Sequence, residues 1–175
     1  MSIKRLLVAN RGEIARRVFR TAKEMGIFTV AVYSDGDRDA PFVTDADLAI
    51  ALGGTTAAES YLDTEKILEA AKSTGADAVH PGYGFLSENA GFAQAVSDAG
   101  LTWIGPPPAA IAAMGDKLAA KETMVDAEVP TLPSIEVTDS TDIGAVGQEI
   151  GFPLLVKASA GGGGKGMRGV DNEAD

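Results

Sequence analysis

Apolar residues fall in short runs separated by longer amphipathic stretches, and this alternation predicts strands joined by helices. Ile3 to Ala9 reads as a buried strand. A helix is predicted from Gly12 to Met25, with Ile14, Val18 and Ala22 on one stripe, Asn10 as its cap and Gly26 as its stop. Phe28 to Tyr33 and Leu48 to Leu52 read as the next strands. Asp63 caps a predicted helix over Glu65 to Ser73 that ends at Gly75. Ala76 to His80 is a fourth strand, and Ser87 is the predicted cap of a helix over Glu88 to Asp98 that ends at Gly100. Leu101 to Ile104 is a fifth strand.

Strands spaced by helices in this way imply parallel pairing through right-handed crossovers. The expected fold is α/β, with a Rossmann-like doubly wound parallel sheet up to about Gly105. Pro106 to Pro108 interrupt the pattern. Short helices are predicted at Ala109 to Met114 and, capped by Asp116, at Lys117 to Asp126; Pro130 and Pro133 then mark a linker. A strand at Ile135 to Val137 and a helix at Asp142 to Ile150, capped by Thr141 and stopped by Gly151, follow. Leu154 to Ala158 and Met167 to Val170 read as two strands around a glycine run. The expected division is 1–115, 116–133 as a helical linker, and 134–175, a piece too short to bury a core of its own.

Composition narrows the classes. Of 175 residues, 45% are hydrophobic, enough for a packed core. A net charge of −10 disfavours nucleic acid as a partner, because such binders show a basic face. With no cysteine there is no disulfide, thiolate metal site or cysteine nucleophile. The first apolar run is far too short for a signal peptide or a membrane span, so a cytoplasmic protein with no membrane partner is expected.

The candidate chemistry begins with LLVKASAGGGGKGMRGV, residues 154–170. Each glycine costs about 0.5–1 kcal/mol against alanine in ordered structure, so the run Gly161 to Gly164 costs about 2–4 kcal/mol together. Backbone N–H groups of such a loop can nest phosphate oxygens, and Lys157 at its root can add a point charge. The alternative is a plain surface hairpin. Gly166 follows Lys165 where a Walker A loop needs serine or threonine, so this is not a P-loop. The turn after the first strand is Asn10-Arg11-Gly12-Glu13, not the G-x-G-x-x-G of a dinucleotide site. Arg11 and Glu13 line a cleft there or pair with neighbours. His80 to Asn89, HPGYGFLSEN, follows the fourth strand at the edge where open α/β sheets take ligands. His80 is the only histidine and reads as a loop residue satisfied by hydrogen bonds. Asp35, Asp37 and Asp39 read as a solvated acidic turn.

VANRGEIA (Val8 to Ala15), HPGYGFLSEN, IGP (Ile104 to Pro106), MGDK (Met114 to Lys117) and VKASAGGGGKGMR (Val156 to Arg168) together resemble the N-terminal part of biotin carboxylase. They occur in order across almost the whole chain, and the resemblance points to the biotin carboxylase part of an acetyl- or propionyl-CoA carboxylase alpha chain. Pyruvate, methylcrotonyl-CoA and urea carboxylases share this region.

The resemblance implies an ATP-grasp ligase. ATP and bicarbonate would form carboxyphosphate, and the carboxyl group would pass to N1 of biotin on a carrier domain, with a carboxyltransferase partner and a role in fatty acid biosynthesis. It implies phosphate contacts from Lys117 and Lys157, a lid built on Gly162, Gly163 and Gly164, and Met167 near the adenine. It places Arg20 and Glu24 at a homodimer interface; by spacing alone they could equally form an i, i+4 pair within their helix. Ala160 and Lys165 depart from a common glycine and arginine in the lid, and lysine keeps the charge but loses the planar fork. The Mg2+ carboxylates, the bicarbonate-binding arginine and the general base of the family would lie beyond Asp175, so no catalytic residue or metal ligand is expected within these residues. The 175 residues alone are expected to be an inactive fragment. A non-catalytic α/β module and a carbamoyl-phosphate-synthase-type ligase are the other readings.

Overall fold

A computed structural model of the chain describes residues 2–115, 117–157 and 166–174, with the backbone alone at 117 and 118. The chain divides into two compact units, Met1–Ala112 and Ala113–Asp175.

Five parallel strands form the first unit: β1 (Arg5–Val8), β2 (Phe28–Tyr33), β3 (Leu48–Ala51), β4 (Ala78–His80) and β5 (Thr102–Trp103), in the order β3-β2-β1-β4-β5. Period-two alternation along each strand feeds two cores. Leu7, Val30, Val32 and Val79 face one side. There they meet Ile67, Ala70 and Ala71 of α3 (Thr64–Thr74) and Phe92 and Val96 of α4 (Ala90–Asp98). Leu6, Val8, Ala31 and Ala78 face the other. They pack on Ala15, Phe19 and Ala22 of α1 (Gly12–Glu24) and Phe42 of α2 (Pro41–Asp45). Helices on both faces make this the doubly wound α/β sheet expected.

Helix ends show which local signals are obeyed. Asp63 accepts from the Lys66 N–H and Gly75 closes α3 in the left-handed region, as its sequence dictates. Three expected caps are corrected. Asn10 does not cap α1; Arg11 holds that position with no side-chain cap, and the Asn10 amide is used elsewhere. Asn89, not Ser87, caps α4 by accepting from the Phe92 N–H, and Ser87 instead closes a turn on Gly84. Asp142, not Thr141, caps α7 (Ile143–Ile150), while Thr141 accepts from the Thr138 N–H. In the last two pairs the residue directly before the first helical residue wins, because only there can its oxygen reach the N3 amide. The acidic turn expected around Asp35 to Asp39 is a 3₁₀ turn over Asp35–Asp37, whereas the short α2, opened by Pro41 in its first turn, has no counterpart in the expected pattern.

The second unit holds α6 (Lys117–Asp126), α7 and an antiparallel hairpin of β6 (Leu154–Lys157) and β7 (Met167–Val170). The division between units falls within α5 (Pro108–Gly115). Ile135 to Val137 is irregular rather than a strand, with no partner strand among the described residues to complete its hydrogen bonds. Asp116, the expected cap of α6, and Ala158, the expected end of β6, lie outside the described residues.

Candidate functional site

The sheet reverses its direction of growth between β1 and β4, which are neighbours in register Val8 to His80. A crevice outside the carboxyl ends of two such strands is where open α/β sheets hold ligands. Both unusual turns of the sequence stand there, and the protein's own amide fills the space between them. Asn10 is fully buried and donates through Nδ2 to the carbonyls of Pro81 at 2.7 Å and Tyr83 at 2.9 Å. Its Oδ1 accepts from the Arg11 N–H at 2.9 Å. Gly82 is required by this closure: its φ is +67°, and a Cβ there would stand 2.7 Å from both Asn10 Nδ2 and Ile14 Cγ2. The Tyr83 hydroxyl donates to Glu13, and this bond makes Tyr83 hold its proton more firmly than an ordinary phenol. His80 Nδ1 accepts from the Gly82 N–H at 2.9 Å, and burial pushes its pKa down. The expected loop histidine is instead the last residue of β4, hydrogen-bonded through Nδ1 as expected.

The second ligand position of a dinucleotide fold, an acid at the end of β2 that takes ribose hydroxyls, is also filled from within. Asp37 is buried, not part of a solvated acidic turn. It accepts from Arg11 Nε at 2.6 Å and from a second Arg11 nitrogen, from the Tyr61 hydroxyl at 2.6 Å and from Ser34 Oγ at 3.3 Å. The Arg11 guanidinium holds the Asp37 carboxyl below the usual aspartate range. Asp37 in turn raises the Arg11 pKa, and burial raises that of Tyr61. Tyr61 stacks on Phe85 at 5.2 Å, and Phe85 sits at φ +45°, an uncommon conformation for a bulky residue. Arg11, Ser34, Asp37, Tyr61 and Phe85 border an open cleft of about 470 Å³. Arg11 thus both pairs with a neighbour and lines a cleft, and Glu13 pairs.

The hairpin brings two expected ATP-binding residues together. Lys157 and Met167 are direct cross-strand partners, so their side chains share one face at the end of the hairpin where the chain passes from β6 to β7. Both are exposed, and Lys157 has no ion-pair partner among the described residues. Lys117 is the first residue of α6. Gly162, Gly163 and Gly164 lie outside the described residues. Arg20 and Glu24 are exposed on α1 and form no ion pair with each other. Arg20 borders, with Glu13, Arg16, Arg17 and Asp45, an open depression of about 510 Å³. Among the described residues no group of three or more His, Asp or Glu side chains could hold a metal ion, and no helix is long and apolar enough to cross a membrane.

Three residues of this construction escaped the sequence reading: Asn10 as a plug, Asp37 as a hub and Tyr61 beneath Phe85. One signal was available. Arg11 and the Asp35–Asp37 turn follow the ends of two neighbouring parallel strands, so an arginine and an acid were bound to meet there.

Residues 2–111 match the family described as biotin carboxylase, N-terminal domain, and residues 116–175 match the carbamoyl-phosphate synthase L chain, ATP binding domain. The chain is 54% identical over 168 residues to the biotin-dependent acyl-coenzyme A carboxylase alpha3 subunit of Mycobacterium leprae, covering 95% of this chain and 28% of that protein. It is 49% identical over 174 residues to the biotin carboxylase of Haemophilus influenzae, covering 98% of this chain and 39% of the relative. Its fold superposes on the Campylobacter jejuni biotin carboxylase complex with β,γ-ATP with a TM-score of 0.91 at 45% identity, over 99% of this chain and 40% of the other. The Hydrogenobacter thermophilus 2-oxoglutarate carboxylase biotin carboxylase domain dimer, solved with MgADP, ADP and bicarbonate, gives a TM-score of 0.90 at 46% identity, over 99% of this chain and 39% of that one. With a family domain matched over 2–111 and this likeness across nearly all its residues, the chain belongs to the biotin carboxylase family.

Proposed function

We propose that these residues are the N-terminal part of the biotin carboxylase component of an acyl-CoA carboxylase. The protein to which they belong would use ATP and bicarbonate to carboxylate carrier-bound biotin. A bicarbonate oxygen attacks the γ-phosphorus and ADP leaves, giving carboxyphosphate. The carboxyl group then passes to N1 of biotin and inorganic phosphate leaves. A biotin carboxyl carrier domain, a carboxyltransferase subunit and a second copy of the chain are the proposed partners.

The observation that carries this reading is the joining, in one chain, of a biotin carboxylase N-terminal domain to an ATP-binding domain match whose hairpin sets Lys157 opposite Met167. In the proposal Lys117 and Lys157 contact ATP phosphates. Gly162, Gly163 and Gly164 close over them, and Met167 borders the adenine. Lys157 at about 4 Å from a phosphate oxygen contributes roughly 1 kcal/mol in water and about 4 kcal/mol at an effective dielectric of 20, so its worth rises as water is excluded. Arg20 and Glu24 are proposed at the dimer interface, where exposure and the lack of a mutual pair leave them available. Among the described residues no side-chain cluster fits Mg2+. The 175 residues assayed alone are proposed to be inactive.

The test is ADP release by the full-length protein. The rate should require bicarbonate and rise on adding free biotin. ADP release indifferent to both would overturn the proposal.

A further inference from the structure

We propose that Asp35–Gly36 is a site of spontaneous backbone modification, where the aspartate converts to isoaspartate through a cyclic imide, and that the Asp37 network restrains it. The inference stands on the first unit alone and goes beyond the carboxylase reading. Asp35–Gly36 is the only Asp-Gly pair in the sequence, and no Asn-Gly occurs. Cyclisation needs the nitrogen of the following residue to reach the aspartate carboxyl. A side chain there obstructs it, and glycine has no Cβ. Both residues are exposed, and nothing lies within 4 Å of the Cβ position of Gly36. The amides on either side are engaged: Asp35 donates to the Gly54 carbonyl at 2.9 Å and Asp37 to that of Ser34 at 3.0 Å. The Gly36 N–H has no hydrogen-bond partner among the described residues. The Asp35 carboxylate meets Arg38 at 3.7 Å, a pair with both side chains exposed and therefore weak. Gly36 borders, with Arg11, Asp37 and Tyr61, the open cleft of about 470 Å³, so water reaches the turn.

The Gly36 nitrogen attacks Cγ of the protonated Asp35 carboxyl. An N–Cγ bond forms, and the carboxyl hydroxyl leaves with the amide proton as water, closing the imide. Water then adds at one of the imide carbonyls. Breaking the new N–Cγ bond returns aspartate. Breaking the original peptide bond leaves a chain that runs through Cβ and Cγ, with the old backbone carbonyl now a free carboxylate. Mass is unchanged, and water is the sole co-reactant. The extra main-chain methylene falls just before Asp37, the buried carboxylate that accepts from Arg11, Ser34 and Tyr61. Those bonds and the Gly54 contact hold both ends of the turn, and cyclisation requires the Asp35–Gly36 peptide to rotate against them. Opening of the Asp37 network therefore sets the rate, and each conversion takes Asp37 out of register with its partners.

The experiment warms the full-length protein at neutral pH and follows Asp35 by peptide mapping, in which isoaspartate shifts retention at constant mass. Asp39, exposed and followed by Ala40, is the internal reference. Isoaspartate should accumulate at Asp35 well above its level at Asp39. Gly36→Ala should suppress it, since the added Cβ obstructs the nitrogen without meeting a neighbour in the folded turn. Asp37→Ala should raise the rate at Asp35 by roughly 5- to 30-fold and leave Asp39 unchanged. In the aged wild type, exchange of the Ser34 N–H, which donates to the Tyr61 hydroxyl at 3.0 Å, should quicken in the modified fraction.

Equal levels at Asp35 and Asp39 in the wild type would overturn the proposal. So would a Gly36→Ala protein modified as fast as wild type. In Asp37→Ala, a rise at both aspartates marks general unfolding, and an unchanged rate marks a turn that opens without the network; either overturns the restraint. If Asp37→Ala fails to fold, Tyr61→Phe, which removes one Asp37 bond and keeps the ring, decides by the same comparison. Unchanged exchange at Ser34 in the modified fraction would show that the turn absorbs the longer backbone, and would overturn the consequence drawn for Asp37.

Discussion

Asp37→Asn is the sharpest probe of the first unit, because it keeps the side chain's shape and removes the charge on which three neighbours converge. The Arg11 partner is about half-exposed, at 48%, so that ion pair is worth about 0.5–1 kcal/mol. The Tyr61 hydroxyl bond is buried and charge-assisted, worth about 1.5–3 kcal/mol. The Ser34 contact, at 3.3 Å, adds little. An asparagine keeps one acceptor oxygen and recovers about 1 kcal/mol. The expected net loss is about 2 kcal/mol. Trp103 is the only tryptophan and packs edge-to-face on Phe92 at 5.5 Å within this unit, so its fluorescence reports unfolding of the unit in urea. With a slope of about 1–3 kcal/mol/M, the midpoint should fall by roughly 1 M at unchanged slope. Tyr61→Phe should cost less, and the double variant should fall short of the sum by about 1 kcal/mol, because both changes break the same bond. The fold lowers the Asp37 pKa, so its contribution is present above the unfolded value and is lost as pH falls through the folded one. The gap between wild type and Asp37→Asn should therefore close in strong acid. A loss under about 0.5 kcal/mol, or strict additivity, would refute the hub and return Asp37 to the solvated surface.

Three further outcomes can be checked independently. Asn89→Ala should cost about 1 kcal/mol by loss of the α4 cap, and Ser87→Ala much less, in the same urea titration. Burial lowers the His80 pKa, so its stabilising share is present above about pH 6.5, the unfolded value, and declines as pH falls through the folded one. His80→Asn, whose Oδ1 can still accept from the Gly82 N–H, should flatten the wild-type fall in urea midpoint between about pH 6.5 and 5. In the full-length protein Lys157→Ala should weaken ATP binding by at least about tenfold in calorimetric titration, the equivalent of 1.4 kcal/mol. Unchanged affinity would remove the hairpin from the ATP site.

The layers of the fold were legible because they rest on local periodicity. β2 and β7 run over the expected residues, and Asp63 and Gly75 act as their types suggest. Misreadings arose where two suitable residues stood close together, as with Ser87 and Asn89 or Thr141 and Asp142. The choice there turns on a shift of one or two residues in backbone geometry that propensity does not resolve. Asn10 and Asp37 were misread for a different reason. Each looked like a residue with a local task, a cap or a solvated turn, and each also bonds partners 24 to 73 positions away. Only the parallel pairing of β1 with β2 and β4 brings those partners within reach. The resemblance named Lys157 and Met167 separately, while their cross-strand register came from the hairpin itself.

This chain keeps the topology of a dinucleotide-binding half and closes both places where such a half would hold its ligand. Asn10 occupies the crevice between β1 and β4, and Arg11 occupies the acid at the end of β2. The two residues are adjacent, so one turn performs both closures. An internal group loses no translational freedom when it occupies such a site, whereas a bound ligand must overcome several kcal/mol on association. The permanent occupant therefore fixes the neighbouring loop at all ligand concentrations. A fold of this shape does not by itself name a nucleotide function. The Asn10 amide holds the Tyr83 backbone, and Tyr61, bonded to the Asp37 that pairs with Arg11, stacks on Phe85. The place proposed for ATP is instead the hairpin bearing Lys157 and Met167.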